Sequence, residues 1–305
     1  MSFNEFNNDR DSKHCIDLDS NVTCKMYDPE QLKHPYDEHN FSLLHANISS
    51  LNKHHDDLTS LLHLTGCSFD IIGNTETWLH GKSCIDLLNI DGYSLHHSNR
   101  NNRQGGGVCL YTRNNLHIKR CDFDLDDEHC ESLFIELNHR GKTFIIGVIY
   151  RPPDSPFDTF RYKLENLLHR LNRLHKDCII LGDFNVDISK NNAIQQDFIN
   201  TLHYSSFFPT INTFTRIKPP SKSIIDNFLT NIRNTKIATG VIHSDITDHF
   251  PIAFFIGTAR LSSTLLPKTQ KIKLISITQC QLHSLILCHY LCLQAQPPIG
   301  FLGEP

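Results

Sequence analysis

Short, almost wholly apolar runs recur along this chain, and each stops at a polar residue. FSLLHAN (41–47), FDIIGNTETWL (69–79), GGGVCLYTR (105–113), SLFIEL (132–137), TFIIGVIY (143–150), CIILGDFN (178–185), IIDNFL (224–229) and FPIAFFI (250–256) share this form. An apolar run of about four to eight residues bounded by turn signals reads as a buried strand. Between the runs the period changes. Leu51, Leu58, Leu61 and Leu62 recur at helical spacing over 51–64. So do Phe160, Leu164, Leu167, Leu168, Leu171 and Leu174, and then Ile194, Phe198, Ile199 and Leu202. Such stripes each need a sheet to cover. The pattern predicts an α/β sandwich: two mixed sheets packed together with helices outside.

The flanks differ from this middle. Residues 1–40 are polar and irregular and are expected to form a flexible arm. The segment 257–305 loses regular punctuation and is expected to be an irregular tail outside the domain, which then spans 41–256. The N-terminus has no apolar signal core, and no run reaches the length of a membrane span. The 11 cysteines are an odd number with no CxxC, which fits free thiols in a reducing, intracellular compartment, nucleus or cytoplasm. Adjacent histidines such as His54-His55 and His96-His97 do not offer two ligands to one ion. The glycines at 105–107 read as a turn into a strand, since a phosphate loop would need a Lys and a following helix.

The polar residues at the strand ends carry the chemistry. They are Asn47, Glu76, Tyr150, Arg151, Asp183, Asn185, Thr215 (or Thr213 beside it), Asp226 and the pair Asp248-His249. A lone acid at a strand end is a cap or a turn former. Acids, amides, a tyrosine and a histidine repeated at that position predict a site lined by several strands. Their types suit phosphodiester hydrolysis. Glu76 and Asn47 are oxygen ligands for Mg²⁺. Asp183 can handle water while Asn185 holds phosphate. His249, held by a carboxylate on its other nitrogen, can meet the developing charge, with a further hydrogen bond from Tyr150. Trp78 beside Glu76 reads as a packed edge.

The order N…ETW…YRPP…GDFN…IDN…TDHFPI resembles the endonuclease/exonuclease/phosphatase superfamily. More narrowly, it resembles the apurinic-type endonuclease domain of non-LTR (LINE-type) retrotransposons, over roughly residues 41–256. The resemblance implies a four-layer α/β sandwich and a monomeric, Mg²⁺-dependent enzyme (Mn²⁺ as substitute). It would nick one DNA strand and leave a 3′-hydroxyl. It also implies Asn47, Glu76 and Asp248 at the metal, and Tyr150 and Thr215 toward the phosphate; Arg151, next to Tyr150, is a further substrate-binding candidate unless it faces solvent. Asp183 and Asn185 fall at the nucleophile, and Asp226 orients His249. A complete element would add a reverse transcriptase domain, and no paired-Asp polymerase motif follows residue 256. Two alternatives stay open: a phosphatase of the same superfamily, and an inactive truncated relic of a transposon. Ser49 stands where relatives carry Arg, Thr247 where they carry Ser, and Asn74 puts an amide in a strand interior. Residues 1–256 hold 25 bases against 32 acids, a net of −7, which predicts weak, salt-sensitive DNA binding. Arg100, Arg103, Arg113, Lys119 and Arg120 are the candidates for a local basic face.

Overall fold

The computed structural model describes residues 16–32, 41–99 and 105–260, except 124, 126 and 128. The first half of the chain supplies β1 (Val22–Tyr27), β2 (Phe41–Asn47), β3 (Ile71–Thr75), β4 (Tyr93–Ser98) and β5 (Val108–Arg113). Next come β6 (Ile118–Cys121), β7 (Glu131–His139), β8 (Lys142–Tyr150), β9 (Asp177–Asp183) and β10 (Phe208–Pro209). A small hairpin, β11 (Arg216–Lys218) with β12 (Ser221–Ser223), precedes β13 (Asp226–Thr230), β14 (Thr235–Ile242) and β15 (Ile252–Arg260). One sheet has seven strands in the order β1-β14-β15-β2-β3-β5-β4, and the other has six in the order β10-β13-β9-β8-β7-β6. Both are mixed: β1/β14, β2/β3 and β8/β9 run parallel, the other pairs antiparallel.

The expected layers are all present. The sheets face each other through β2, β3 and β5 against β7, β8 and β9. Helix α1 (Leu51–Thr65) lays Leu51, Leu58 and Leu61 on the outer face of the seven-stranded sheet, among Leu44, Ile72, Tyr111 and Phe255. Helices α2 (Phe157–Asn172) and α3 (Ala193–Tyr204) join the core of the other sheet. Phe160, Leu164, Leu167, Leu168 and Leu171 are all buried, and each such side chain contributes about 1.5–3 kcal/mol. Leu174, read as the end of that stripe, lies past the helix and is 42% exposed. Among the described residues no helix is long and apolar enough to cross a membrane. The described cysteines are free thiols, and burial pushes Cys178 up to about 12, as expected of a small core hydrophobe.

Three differences from the sequence reading have physical reasons. The polar segment 1–40 contains a strand: Val22–Tyr27 pairs in parallel with Ile237–Ile242, with Val22 buried and Thr23 and Lys25 exposed. This strand alternates, and its Asn- and Asp-rich surroundings hide it. β14 was missed because TKIATGVI is built from Thr, Ala and Gly rather than an apolar run. β15 extends past Ile256 to Arg260, so the domain edge moves with it. The rest of the expected tail, like Arg100 and Arg103, lies outside the described residues.

Candidate active site

Strand register gathers the polar strand ends at one end of the sandwich. In the six-stranded sheet, Glu131 pairs with Tyr150, Tyr150 with Asp183, and Asp183 with Asp226, one row across β7, β8, β9 and β13. In the facing sheet, Asn47 at the end of β2 pairs with Thr75, and Glu76 follows. The row can close because residue 182 is glycine. A Cβ there would lie 1.9 Å from the Ile149 carbonyl oxygen, a backbone atom that cannot yield.

Asn47 bridges the two sheets. Its amide donates to Glu76 Oε1 at 2.8 Å and to Asp183 Oδ2 at 2.9 Å. Its oxygen accepts the Ser49 amide at 3.3 Å, so Ser49 pins the Asn47 side chain. Asn74 also finds partners, donating to the Ala46 carbonyl at 3.3 Å and lying 3.7 Å from the Cys109 thiol.

Asp183 and Asp226 are wholly buried. Burial first, then the neighbouring Asp226 charge, lifts the Asp183 carboxyl to about 7, against the pull of His249 and of hydrogen bonds from Asn185 and Asn47. Asp226 goes the other way. Burial opposes its ionisation, but the charge and hydrogen bond of His249 hold it below the usual carboxylate range. His249 Nδ1 sits 2.9 Å from Asp226 Oδ2. Burial disfavours the charged imidazolium, yet Asp226 outweighs it and raises His249 to about 9. The Thr247 hydroxyl accepts the His249 amide at 3.1 Å and lies 3.1 Å from the Asn47 carbonyl oxygen, so Thr keeps the tie a Ser would make.

The remaining expected residues divide. Tyr150 is buried beside Glu76, and burial, then Glu76, Asp183 and Glu131, push its phenol up, so it stays a neutral donor. Asn185, at φ 46°, donates its backbone N–H to Asp183 Oδ1 at 2.9 Å and its side-chain amide to the Arg151 carbonyl at 2.8 Å. Arg151 faces neither solvent nor an open phosphate site. It is buried, its guanidinium donates to the Asn185 carbonyl at 3.0 Å and to the Ser155 carbonyl, and it lies over the Phe160 ring. It props up the loop carrying Asn185. Thr215 is also turned inward. Its hydroxyl donates to Asp226 Oδ2 at 2.8 Å and accepts the amides of Ile225 and Asp226. It backs Asp226, while Thr213 is 3.8 Å from the Cys24 thiol, away from this cluster. Asp248 is engaged by Arg216 at 2.9 Å, with its other oxygen 4.0 Å from His249 Nε2.

Two residues of this cluster escaped the sequence reading. Glu131, buried next to Tyr150 in the row, accepts the Gly107 amide. No sequence signal reveals a cross-strand register. His45 is fully buried, its Nδ1 4.0 Å from Asp226 Oδ1, and neither atom has a hydrogen-bond partner. Burial holds its imidazole down to about 4. Its spacing from Asn47 along one strand, i to i+2, was a readable sign of a shared face.

Glu76 sits at the mouth, half-buried. Its partners, the Asn47 amide and the Tyr150 hydroxyl, are neutral, so its charge is free to meet a cation. That donor set suits a hard, oxygen-loving ion. Asp183, Asp226 and His249 also bring ligand atoms within 4.8 Å of one another. There, however, Asp226 Oδ2 already holds His249 and Thr215, so the trio is better suited to proton handling than to coordination. Glu76 and Trp78 both adopt left-handed φ, 52° and 54°, a strain of about 1–2 kcal/mol for a side chain with a Cβ. Trp78 is 42% exposed rather than a packed edge.

Residues 41–249 match the Endonuclease/Exonuclease/phosphatase family. None of the curated proteins matches the sequence significantly. Among solved structures, an AP endonuclease from Leishmania major is 14% identical, with 84% of this chain and 99% of that chain covered and a TM-score of 0.59. An endonuclease/exonuclease/phosphatase family protein from Leptotrichia buccalis is 18% identical over 71% of this chain and 99% of its own, at 0.55. The endonuclease domain of TRAS1, a telomere-specific non-LTR retrotransposon, is 14% identical over 71% of this chain and 98% of its own, at 0.53. At these identities the likeness establishes the fold.

Proposed function

Because the chain belongs to the endonuclease/exonuclease/phosphatase family, whose members hydrolyse phosphate esters, we propose that it is a Mg²⁺-dependent DNA endonuclease of the kind carried by non-LTR retrotransposons. It nicks one strand and leaves a 3′-hydroxyl from which a reverse transcriptase could extend. The observation that carries the chemistry is the row Tyr150–Asp183–Asp226 with His249 at its end and Glu76 facing it. DNA rather than a small phosphate ester is favoured by the hairpin β11–β12, whose Arg216 bridges to His249 and which carries Lys218 and Lys222 further along.

Asp183 is the base. With its carboxyl raised to about 7, it can take a proton from water near neutral pH, while the Asn185 amide keeps one N–H on the Arg151 carbonyl and turns the other, 3.3 Å from Asp183 Oδ2, to a phosphate oxygen. The water oxygen bonds to phosphorus, the O3′–P bond breaks, and the 3′ oxygen leaves with the electron pair to be protonated from solvent. His249, charged at pH 7 and steadied by Asp226, meets the growing negative charge on the phosphate, and the Tyr150 hydroxyl donates to the same group. Glu76 would be the principal ligand of the cation. Half a turn of its terminal amide would let Asn47 add an oxygen, and Asp248 would join on release from Arg216. When bound, Mg²⁺ supplies charge neutralisation at the phosphate. Arg151 and Thr215 act as supports rather than as substrate contacts.

The test is plasmid nicking by the full chain. Mg²⁺-dependent open circles, absent in EDTA and in Asp183→Ala, are expected. A cooperatively folded protein that leaves supercoiled DNA intact but releases inorganic phosphate from a phosphomonoester would overturn the endonuclease reading in favour of a phosphatase.

A further inference from the structure

Trp78 is the only tryptophan in the chain, and it sits two residues after Glu76 and is 42% exposed. A large aromatic at the rim of a polar, acidic site has no core to serve. The backbone beneath it is clamped from both sides. Ser50 and Leu51, at the start of α1, donate to the carbonyls of Glu76 and Thr77 at 2.8 and 2.9 Å. Thr77 and Trp78 donate to the carbonyls of Gly107 and Gly106 at 3.1 and 2.8 Å. Gly107 must be glycine for this contact, because a Cβ there would lie 2.4 Å from the Thr77 hydroxyl. The indole therefore stands on a segment that does not need ordering when a ligand arrives.

We propose that Trp78 is a stacking platform for an unpaired nucleobase of the DNA strand whose phosphate enters at Glu76. This rests on the DNA reading of the site and adds a specific contact to it. Every base has a π-face, so an exposed, pre-ordered indole binds single-stranded or extruded bases without reading sequence. A chain with a net charge of −7 over residues 1–256 gains little from general attraction to phosphate, and an uncharged contact fills that gap.

The same residue reports on its own occupancy. The full chain, in EDTA to prevent cleavage, is titrated with a labelled single-stranded oligodeoxynucleotide of about 12 nucleotides. Tryptophan emission should be quenched in step with the anisotropy of the label. Trp78→Ala should weaken binding about tenfold, by the same factor at each salt concentration, and Trp78→Phe should keep most of the affinity. A thermal melt of each variant confirms that it is folded. Binding seen by anisotropy with unmoved emission, or an unchanged Kd in Trp78→Ala, would overturn the proposal, as would quenching by duplex but not by single strands. Nicking by the wild type is scored separately. If the plasmid is nicked while Trp78→Ala binds and cuts normally, or while no oligonucleotide binds in EDTA, only the stacking contact falls; if the wild type neither binds DNA nor nicks it with Mg²⁺, both readings fall together.

Discussion

Asp183 closes a strand and Glu76 follows one, and each accepts a hydrogen bond from the one Asn47 amide, yet their surroundings are opposite. Asp183 is wholly buried in a row of paired strands, beside a second carboxylate, with its carboxyl pushed up. Glu76 is half-buried on a strained turn, with neutral partners. The inner row tunes protons because burial makes charge costly there. The mouth suits an ion because its carboxylate keeps contact with water. The contrast separates two kinds of side chain that look alike as polar residues ending apolar runs.

Substitutions at the two places should therefore fail differently. Asp183→Ala should cost the most, at least about 10⁴-fold in nicking rate, and added Mg²⁺ should not restore it. Glu76→Gln should lose about 10²–10³-fold at low Mg²⁺ but recover partly as the ion is raised, with an unchanged melting temperature. Full rescue of Asp183→Ala by Mg²⁺, or none for Glu76→Gln, would erase the distinction.

The buried pair His249–Asp226 predicts a pH signature. Activity should rise as Asp183 ionises near 7 and fall as His249 loses its proton near 9. Asp226→Asn should lower the rate about 10²-fold and bring the upper limb down toward the ordinary histidine range. An upper limb that stays put would remove Asp226 as the group that holds His249 charged.

Stability should show the contrast as well. The folded-state pKa of Asp183 lies above its ordinary value of 3.8, so its contribution to stability is full below 3.8 and lost as pH rises through about 7. Asp183→Asn cannot ionise. In EDTA at pH 8 it should be more stable than the wild type, on the order of 1–4 kcal/mol, with the gain gone near pH 3.5. Denaturant melts at both pH values check this. The smallest effect is expected for Thr215→Val: about 1 kcal/mol of stability and less than about tenfold in rate, since it supports Asp226 from behind. A much larger rate loss with normal stability would return Thr215 to the substrate.

The sequence carried the layers and most of the cluster, because a buried strand that ends in an acid or amide advertises both facts. It could not carry direction. Arg151 and Thr215 occupy strand ends as Tyr150 and Asp183 do, but their side chains turn inward, and chain position does not say which way a terminal residue points. Glu131 needed the register of β7 against β8, a long-range property, whereas His45 was readable from its spacing to Asn47.

The strand Val22–Tyr27 bears on how the protein can be handled. The family match begins at residue 41, and that boundary would invite a truncation there. Such a truncation would strip the edge of β14, leaving a row of unpaired amides and carbonyls along Ile237–Ile242 and uncovering the flank beside Ala238 and Val241. A bare, apolar strand edge is a template for other chains. Poor solubility of the shortened domain would then be a matter of self-association at that edge, and extending the chain back to residue 16 would cure it.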